Sequence, residues 1–140
     1  MVCRSLAAGG RAFAPQLVVG PTTGGVVIAY EVARQLGLRG VIAERDPAGG
    51  RTIGRHFRIE PGERALVVDD VLTTGGSVRE AIEAVRKAGG DPVGVAVMVD
   101  RSGGQVDFGI PLYSATDVEM KTWAPADCPL CAAGIVLEIT

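Results

Sequence analysis

The sequence contains few aromatic residues, few cysteines and no excess of basic charge. Its three cysteines among 140 residues are too few for a disulfide scaffold. They are typical of a protein in a reducing compartment, here expected to be the cytoplasm. Lysine and arginine number 14 against 16 acidic residues, which gives a formal net charge of -2. This balance excludes the basic face that nonspecific nucleic-acid binding requires.

The sequence also lacks segments that would place it in a membrane. No uncharged apolar run reaches the roughly 18 residues that a membrane-spanning helix needs. The first residues, MVCRSLAAGGRAFAP, lack the uninterrupted apolar core of a secretory signal. We therefore expect neither a membrane span nor a membrane partner.

Apolar residues make up 47% of the chain, which is enough for one packed core. Apolar runs alternate with amphipathic stretches, and this predicts a single α/β domain over residues 1–140 with a largely parallel sheet. Strands are predicted at 17–19, 41–44, 65–69, 93–99 and 111–115, and helices at 2–13, at 25–36 and from Ser77 to the glycines at 89–90. The polar stretch 45–58 is predicted to be a mobile loop or a loose hairpin.

The segment 66–77, LVVDDVLTTGGS, carries the strongest functional signal. Its strand delivers Asp69 and Asp70 to the edge of the sheet where α/β proteins bind ligands. A turn rich in hydroxyls and glycine follows, and the spacing of Ser77 and Glu80 predicts a capped helix start. Backbone N–H groups at such a turn bind phosphate, and adjacent carboxylates suit ribose hydroxyls or Mg²⁺. The alternative is a strand that ends in solvated aspartates before an ordinary turn.

The string VVDDVLTTGGS resembles the 5-phosphoribosyl 1-pyrophosphate (PRPP) binding motif of the type I phosphoribosyltransferases. Three other strings, GPTTGGVVIAYEVARQLG, the segment ending in Val99-Asp100-Arg101 and the tail PADCPLCAAG, resemble the orotate phosphoribosyltransferases, over roughly residues 2–138. No GxGxxG or GxxxxGK[ST] pattern occurs, so a dinucleotide-binding or P-loop site has no support. The resemblance implies a mostly parallel sheet flanked by helices, with a flexible loop or hairpin over the active site.

The resemblance also implies a role for each motif residue. Asp69 and Asp70 are the expected catalytic carboxylates, approaching the ribose hydroxyls and, partly through those hydroxyls or water, Mg²⁺. The residues expected to hold the 5-phosphate are Thr73, Thr74, Gly75, Gly76 and Ser77. Those expected to face the pyrophosphate through backbone groups are Thr22, Thr23 and Gly24, and Arg101 is expected to engage the base. A homodimer, with each loop reaching the neighbour's site, is a further expectation from the family.

Arginines are concentrated in the stretch 45–58, which holds four of them, Arg45, Arg51, Arg55 and Arg58, against one acid, Asp46. Guanidinium groups can bind a leaving pyrophosphate through paired hydrogen bonds, and a closing loop would exclude water. In many relatives this loop carries a catalytic lysine, which this stretch lacks. An arginine is expected to replace it, with Arg45 as the catalytic candidate and Arg51, Arg55 and His56 as substrate-binding candidates. The alternative is a solvated surface hairpin.

The expected reaction transfers the phosphoribosyl group of PRPP to orotate, giving orotidine 5'-monophosphate and pyrophosphate in pyrimidine biosynthesis. Two alternatives are a purine or xanthine phosphoribosyltransferase and a non-catalytic PRPP-binding regulator or remnant. Relatives have an N-terminal hood that contacts orotate, and nothing matching it precedes Val18. We therefore expect a core domain whose hood is missing or truncated, either because the reading frame is cut short or because the base pocket is built differently.

Cys128 and Cys131 form a single CxxC pair near the end of the chain. Structural zinc takes four ligands, and the sequence offers only Cys3 and His56 as further cysteine or histidine. The favoured interpretation is a structural one, with Asp127 capping a short helix. Metal binding shared across a dimer and redox chemistry are the alternatives.

Overall fold

The fold is described by a computed structural model that covers residues 2–54, 56–120, 123–124 and 126–135. Its strands are β1 (Leu17–Pro21), β2 (Arg39–Arg45), β3 (Arg51–Ile53), β4 (Arg64–Leu72), β5 (Asp91–Asp100) and β6 (Leu112–Ser114). Its helices are α1 (Val2–Arg11), α2 (Gly24–Leu36), α3 (Gly76–Lys87) and α4 (Pro129–Ala132). Within these ranges, no helix has the length and hydropathy needed to cross a membrane.

Six strands form one sheet in the order β3-β2-β1-β4-β5-β6. Every neighbouring pair is parallel except β2 and β3, which are antiparallel, so the predicted α/β class is confirmed. β1 and β4 are neighbours at the centre, yet the chain leaves β1 toward β2 on one side and β4 toward β5 on the other. Ligands of such sheets bind at this switch point, beyond the carboxyl ends of the strands.

Helices cover both faces of the sheet because its central strands are apolar on both sides. One core lies under α1 and α2 and contains Leu6, Ile28 and Val18. The other lies under α3 and contains Val85 and Val19. Successive side chains of a strand point to opposite faces, which is why neighbouring residues of β1 enter different cores.

The predicted strands and helices are present. β1, β2, β4 and β5 extend beyond the apolar runs, whereas β6 is shorter than the strand predicted at 111–115. β4 continues through Asp69 and Asp70 to Leu72 because β5 pairs with it over that length. α2 ends at Gly37 as predicted, since a φ of 70° there gives the left-handed conformation that glycine adopts readily. The stretch 45–58 contains the hairpin of β2 and β3, one of the two structures predicted for it.

Two predicted helix caps are wrong. α3 begins at Gly76 with Gly75 at its N-cap, and no side chain caps it. Ser77 lies inside the helix, where its hydroxyl donates to Asp69 and does not accept a backbone N–H as a cap would. At the short helix α4, the N-cap is Cys128 and not Asp127.

Candidate active site

The switch point brings two turns together with the acidic pair. The β1 turn, residues 22–24, follows β1 and leads into α2. The β4 turn, residues 73–76, follows β4 and leads into α3. Asp69 and Asp70 lie near the carboxyl end of β4, in the strand next to β1. The residues predicted for the two ends of PRPP therefore lie at the same edge of the sheet.

Asp69 is buried, with 4% of its surface exposed. Its Oδ2 accepts a hydrogen bond from Ser77 Oγ at 2.7 Å, and its Oδ1 accepts one from the Asp70 backbone N–H at 3.0 Å. Burial raises the pKa of the Asp69 carboxyl, and the hydrogen bond from Ser77 opposes that rise. Asp69 therefore links β4 to the first turn of α3 as a desolvated acid.

Asp70 is half-buried and turns toward the β1 turn. Its Oδ1 accepts the Val71 backbone N–H at 2.7 Å. Its Oδ2 occupies the space next to Gly24, where a Cβ would overlap the carboxylate. A side chain at position 24 would displace the Asp70 carboxylate, and the close approach joins the acidic pair to the start of α2.

The β4 turn combines the uncapped backbone N–H groups at the start of α3 with exposed threonine side chains. Gly75 is buried with a φ of 79°, and a Cβ there would lie 2.8 Å from Val106 Cγ1 and 3.1 Å from Phe108 Cε1. Because the first N–H groups of a helix have no intrahelical acceptor and no side chain caps α3, these donors are available to an anion. Thr73, Thr74 and Gly76 are exposed around them. The arrangement suits a phosphate, as predicted, except that the Ser77 hydroxyl is bonded to Asp69.

The β1 turn differs from its prediction in one respect. The Thr22 backbone N–H donates to the Ala43 carbonyl at 3.1 Å, so it is not available to a ligand. Thr23 and Gly24 are exposed at the start of α2. The Thr22–Thr23 peptide bond is cis. Of the groups in Thr22, its hydroxyl and not its backbone N–H is therefore the donor that remains.

Arg51 is the predicted substrate-binding residue whose position differs most from expectation. Its side chain is 3% exposed, and its Nη1 donates to Thr22 Oγ1 at 2.9 Å and to the Ala43 carbonyl at 3.1 Å. Its Nε lies 3.3 Å from Glu80 Oε2 on α3. Sequence reasoning assigned Arg51 to the ligand and missed Glu80, because burial of one arginine in a polar stretch depends on the packing of α3 against the hairpin.

The other residues predicted from the arginine-rich stretch are more exposed. Arg45 pairs in register with Arg51 at the end of the hairpin, and it is exposed, as is His56. Arg58 is exposed and forms an ion pair with Glu60 at 3.1 Å. Arg55 lies outside the described residues, so its predicted role stays a prediction.

Arg101 follows β5 and lies beside the end of β4, since its backbone N–H donates to the Leu72 carbonyl at 2.8 Å. It is half-buried, and its Nε is buried without a hydrogen-bond partner among the residues that the structure describes. A cavity of about 570 Å³ is lined by residues near it in the chain, Asp100, Gly103 and Gly104, and by Asp117, Val118 and Glu119. The role predicted for Arg101 at the base stays a prediction.

The donor set at the acidic pair fits Mg²⁺ in part. In the described ranges, no group of three or more His, Cys, Asp or Glu side chains is arranged to hold a metal ion. Mg²⁺ takes oxygen ligands, keeps several waters and commonly binds through one or two carboxylates plus substrate phosphates. The Asp70 carboxylate, with one oxygen against the β1 turn, supplies this kind of incomplete site. The residues therefore fit a Mg²⁺ ion that a phosphorylated substrate would help to hold.

Comparisons with known proteins agree on one family. The sequence of residues 11–129 matches the family model for the phosphoribosyl transferase domain. The chain is 53% identical to the orotate phosphoribosyltransferase of Pelotomaculum thermopropionicum over 135 residues, which are 96% of this chain and 70% of that protein. It is 50% identical to that of Heliobacterium modesticaldum over 120 residues, 86% of this chain and 62% of that protein. The chain thus spans between 62% and 71% of the length of such relatives.

Solved structures give the same result for the fold. Orotate phosphoribosyltransferase from Aeropyrum pernix superposes with a TM-score of 0.70 at 28% identity, covering 84% of this chain and 70% of that one. Adenine phosphoribosyltransferase from Rhodothermus marinus also gives a TM-score of 0.70, at 24% identity, covering 84% of this chain and 77% of that one. At that lower identity the likeness concerns the fold alone.

Proposed function

The chain belongs to the phosphoribosyltransferase family and, within it, to the orotate phosphoribosyltransferases, and on this premise we propose that its switch point transfers the phosphoribosyl group of PRPP to orotate. The products are orotidine 5'-monophosphate and pyrophosphate. The observation that carries the proposal is the acidic pair between two turns, one of which opens the N-terminus of α3 to an anion. PRPP carries phosphate groups at both ends of a ribose, and the two turns lie on either side of the pair.

The substrate is oriented by the two turns. The β4 turn holds the 5-phosphate through the free N–H groups at the start of α3, whose dipole favours negative charge. Asp70 lies against the β1 turn, so a ribose bound at Asp69 and Asp70 directs its C1 pyrophosphate toward Thr23 and Gly24. Binding at both ends fixes the anomeric carbon, and such positioning supplies a large part of the barrier reduction in transfer reactions.

The reaction replaces one bond at the anomeric carbon by another. The bond from C1 to the pyrophosphate oxygen breaks and its electron pair leaves with pyrophosphate. A ring nitrogen of orotate donates the pair that forms the new bond, and its proton passes to the departing pyrophosphate. Positive charge develops on the ribose, as in glycoside hydrolysis. The carboxylates of Asp69 and Asp70 stabilise that charge electrostatically. Arg101, beside the end of β4, binds the anionic base.

The proposal includes Mg²⁺ as the cofactor. Asp69 and Asp70 would hold it, partly through ribose hydroxyls or water, since two carboxylates do not complete its coordination. When bound, Mg²⁺ neutralises charge on the departing pyrophosphate. The exposed Arg45 at the end of β2 and His56 after β3, with Arg55, are proposed to approach the same group when the hairpin closes.

A homodimer in the cytoplasm is proposed as the working form. The dimer is supported by an apolar groove of about 410 Å³ between α2 and β2. Val27 and Tyr30 in this groove are 74% and 69% exposed, and Phe57, which follows β3, also lines it. Exposed apolar patches of this kind mark interaction surfaces. The cytoplasm is supported by the free state of Cys3, Cys128 and Cys131.

The function is tested by following pyrophosphate release from PRPP and Mg²⁺ with one base at a time. We expect release with orotate and none with adenine, guanine or xanthine. If pyrophosphate is released only with a purine base, the substrate is a purine and not orotate. Calorimetric binding of PRPP without turnover on any base would contradict the transferase proposal and favour a PRPP-binding regulator.

A further inference from the structure

Arg51 is buried at the junction of the hairpin, the β1 turn and α3. The Arg51 guanidinium is 3% exposed, and its groups contact Thr22, the Ala43 carbonyl and Glu80. Its Nη1 lies 2.9 Å from Thr22 Oγ1. Its effect on a ligand must therefore pass through Thr22.

The donors and acceptors at Thr22 determine what that contact does. A guanidinium group has only N–H donors, so Thr22 Oγ1 must be the acceptor in this bond. The Thr22 hydroxyl then keeps its own proton for a second partner. The Thr22 backbone N–H is already bonded to the Ala43 carbonyl, and Arg51 donates to the same carbonyl at 3.1 Å. Arg51 thus leaves Thr22 with one free donor, the hydroxyl, whose proton cannot point at the guanidinium group.

We propose that Arg51 is a positioning residue that orients the Thr22 hydroxyl so that it donates a hydrogen bond to the departing pyrophosphate. The inference rests on the proposed function, because it takes the β1 turn as the pyrophosphate side of the site. A charged donor polarises the hydroxyl that it binds, which strengthens the hydrogen bond the hydroxyl donates in turn.

Glu80 supports this arrangement from α3. Its Oε2 lies 3.3 Å from Arg51 Nε, and its side chain is 44% exposed whereas that of Arg51 is 3% exposed. The carboxylate compensates the buried charge through this ion pair, while Arg51 Nε makes no hydrogen bond to the residues that the structure describes. Arg51 consequently connects the β1 turn to the helix whose N-terminus forms the β4 turn.

The test measures pyrophosphate in the reverse reaction, with orotidine 5'-monophosphate as the second substrate. Arg51→Met and Thr22→Val should each raise the KM for pyrophosphate about tenfold, the effect of one lost hydrogen bond, and leave the KM for the nucleotide unchanged. The KM for pyrophosphate of the double variant should rise no more than that of either single variant, since both substitutions remove the same hydrogen bond. Arg51→Lys, which keeps a charged donor, should restore part of the affinity.

Two control variants separate positioning from general damage. Arg86→Met removes another arginine that pairs with a glutamate, Glu83 at 2.7 Å, and Thr52→Val removes an exposed hydroxyl from the same hairpin. Both should leave the KM for pyrophosphate unchanged. Thermal melting of every variant identifies any that do not fold, and Arg51→Lys then provides the comparison for Arg51.

Calorimetric titration of the wild-type protein and the variants with Mg-pyrophosphate gives a second readout that needs no turnover. A lower melting temperature with unchanged pyrophosphate affinity in Arg51→Met and Arg51→Lys would overturn the inference and leave Arg51 a purely structural residue. Additive losses in the double variant would overturn it as well. If the wild-type protein binds Mg-pyrophosphate but never turns over orotate, the proposed function fails while the role of Arg51 is still measured.

Discussion

The two turns at the switch point are built in opposite ways. The β4 turn contains Gly75 and Gly76, has no side-chain cap and leaves the N–H groups of α3 free. In the β1 turn, the Thr22 N–H is bonded to the Ala43 carbonyl of β2, and the Thr22 side chain accepts a hydrogen bond from the buried Arg51. One turn therefore offers backbone donors, and the other offers a hydroxyl whose direction depends on a charge behind it.

This difference matches the two ends of the proposed substrate. The 5-phosphate keeps its charge and its position throughout the transfer, so the fixed backbone N–H groups of the β4 turn are sufficient to bind it. The pyrophosphate gains charge as its bond to the ribose breaks, and it must then leave. Side-chain donors that are oriented in advance stabilise such developing charge. The comparison predicts that changes at each turn affect one end of the substrate and spare the other.

Loss of the acidic pair should have the largest effect, because the pair serves both turns. In the Asp69→Asn, Asp70→Asn double variant we expect kcat to fall by at least about 100-fold, since the charge opposite the developing cation is lost. The measurement is pyrophosphate release with saturating PRPP and orotate. The matched control is Asp91→Asn, an exposed aspartate at the start of β5. Turnover within a few fold of the wild type in the double variant would contradict the assigned role.

Gly75→Ala should break the β4 turn alone. An alanine at a φ of 79° is strained by about 1–2 kcal/mol, and its Cβ would press on Val106 and Phe108. We expect ribose 5-phosphate to bind at least about tenfold more weakly by calorimetry, because the displaced turn no longer directs its N–H groups at the phosphate and one such hydrogen bond to a charged group is worth about 1.5 kcal/mol or more. Binding of Mg-pyrophosphate should be unchanged.

Gly37→Ala is the matched control for this variant. Gly37 has a φ of 70° and no atoms within 4 Å of an added Cβ, so it reproduces the backbone strain without the collision. It should lower the melting temperature and leave both ligands bound as in the wild type. If both glycine variants bind ribose 5-phosphate equally weakly, backbone strain and not the shape of the β4 turn causes the loss of affinity.

Arg101→Ala tests the binding of orotate, which is assigned to neither turn. We expect the KM for orotate to rise about tenfold, through loss of a charged hydrogen bond, with the KM for PRPP unchanged. The measurement is steady-state kinetics with each substrate varied in turn. If the KM for orotate stays at the wild-type value, the base lies elsewhere.

The smallest effect concerns stability and the raised pKa of Asp69. Between the unfolded pKa, about 3.9, and the higher folded value, the folded state binds more protons, so this residue makes stability fall as pH rises. Asp69→Asn removes that dependence. We expect the melting temperature of the variant, relative to that of the wild type, to rise by a few degrees from pH 4 to pH 7. A difference that stays constant with pH would contradict a desolvated carboxyl at this position.

The fold and the β4 side of the site could be predicted from the sequence because they depend on local pattern. The apolar strand, Asp69, Asp70 and the glycines of the β4 turn are contiguous, and the family that the motif indicated is confirmed. The capping spacing at Ser77 was misleading, since Asp69, eight residues earlier in the chain, accepts the same hydroxyl. Local spacing gives no information on such a competing partner.

The β1 side could be predicted only in part because it depends on contacts between distant segments. The excess of arginine in 45–58 indicated an anion, yet the burial of Arg51 depends on Thr22 and on Glu80 of α3. The position of Phe108 against Gly75 is a second contact of this kind, marked in the sequence only by an isolated aromatic residue. Register and packing determine both contacts.

The most direct test of the two-turn account is a pair of NMR titrations of the wild-type protein, following its backbone amides. Ribose 5-phosphate should shift the signals of residues 73–78 most strongly, and Mg-pyrophosphate those of residues 22–24. The two shift patterns should add when both ligands are present. If both ligands shift the same turn, or if neither turn responds at millimolar ligand, the two turns do not divide the substrate between them and the account is wrong.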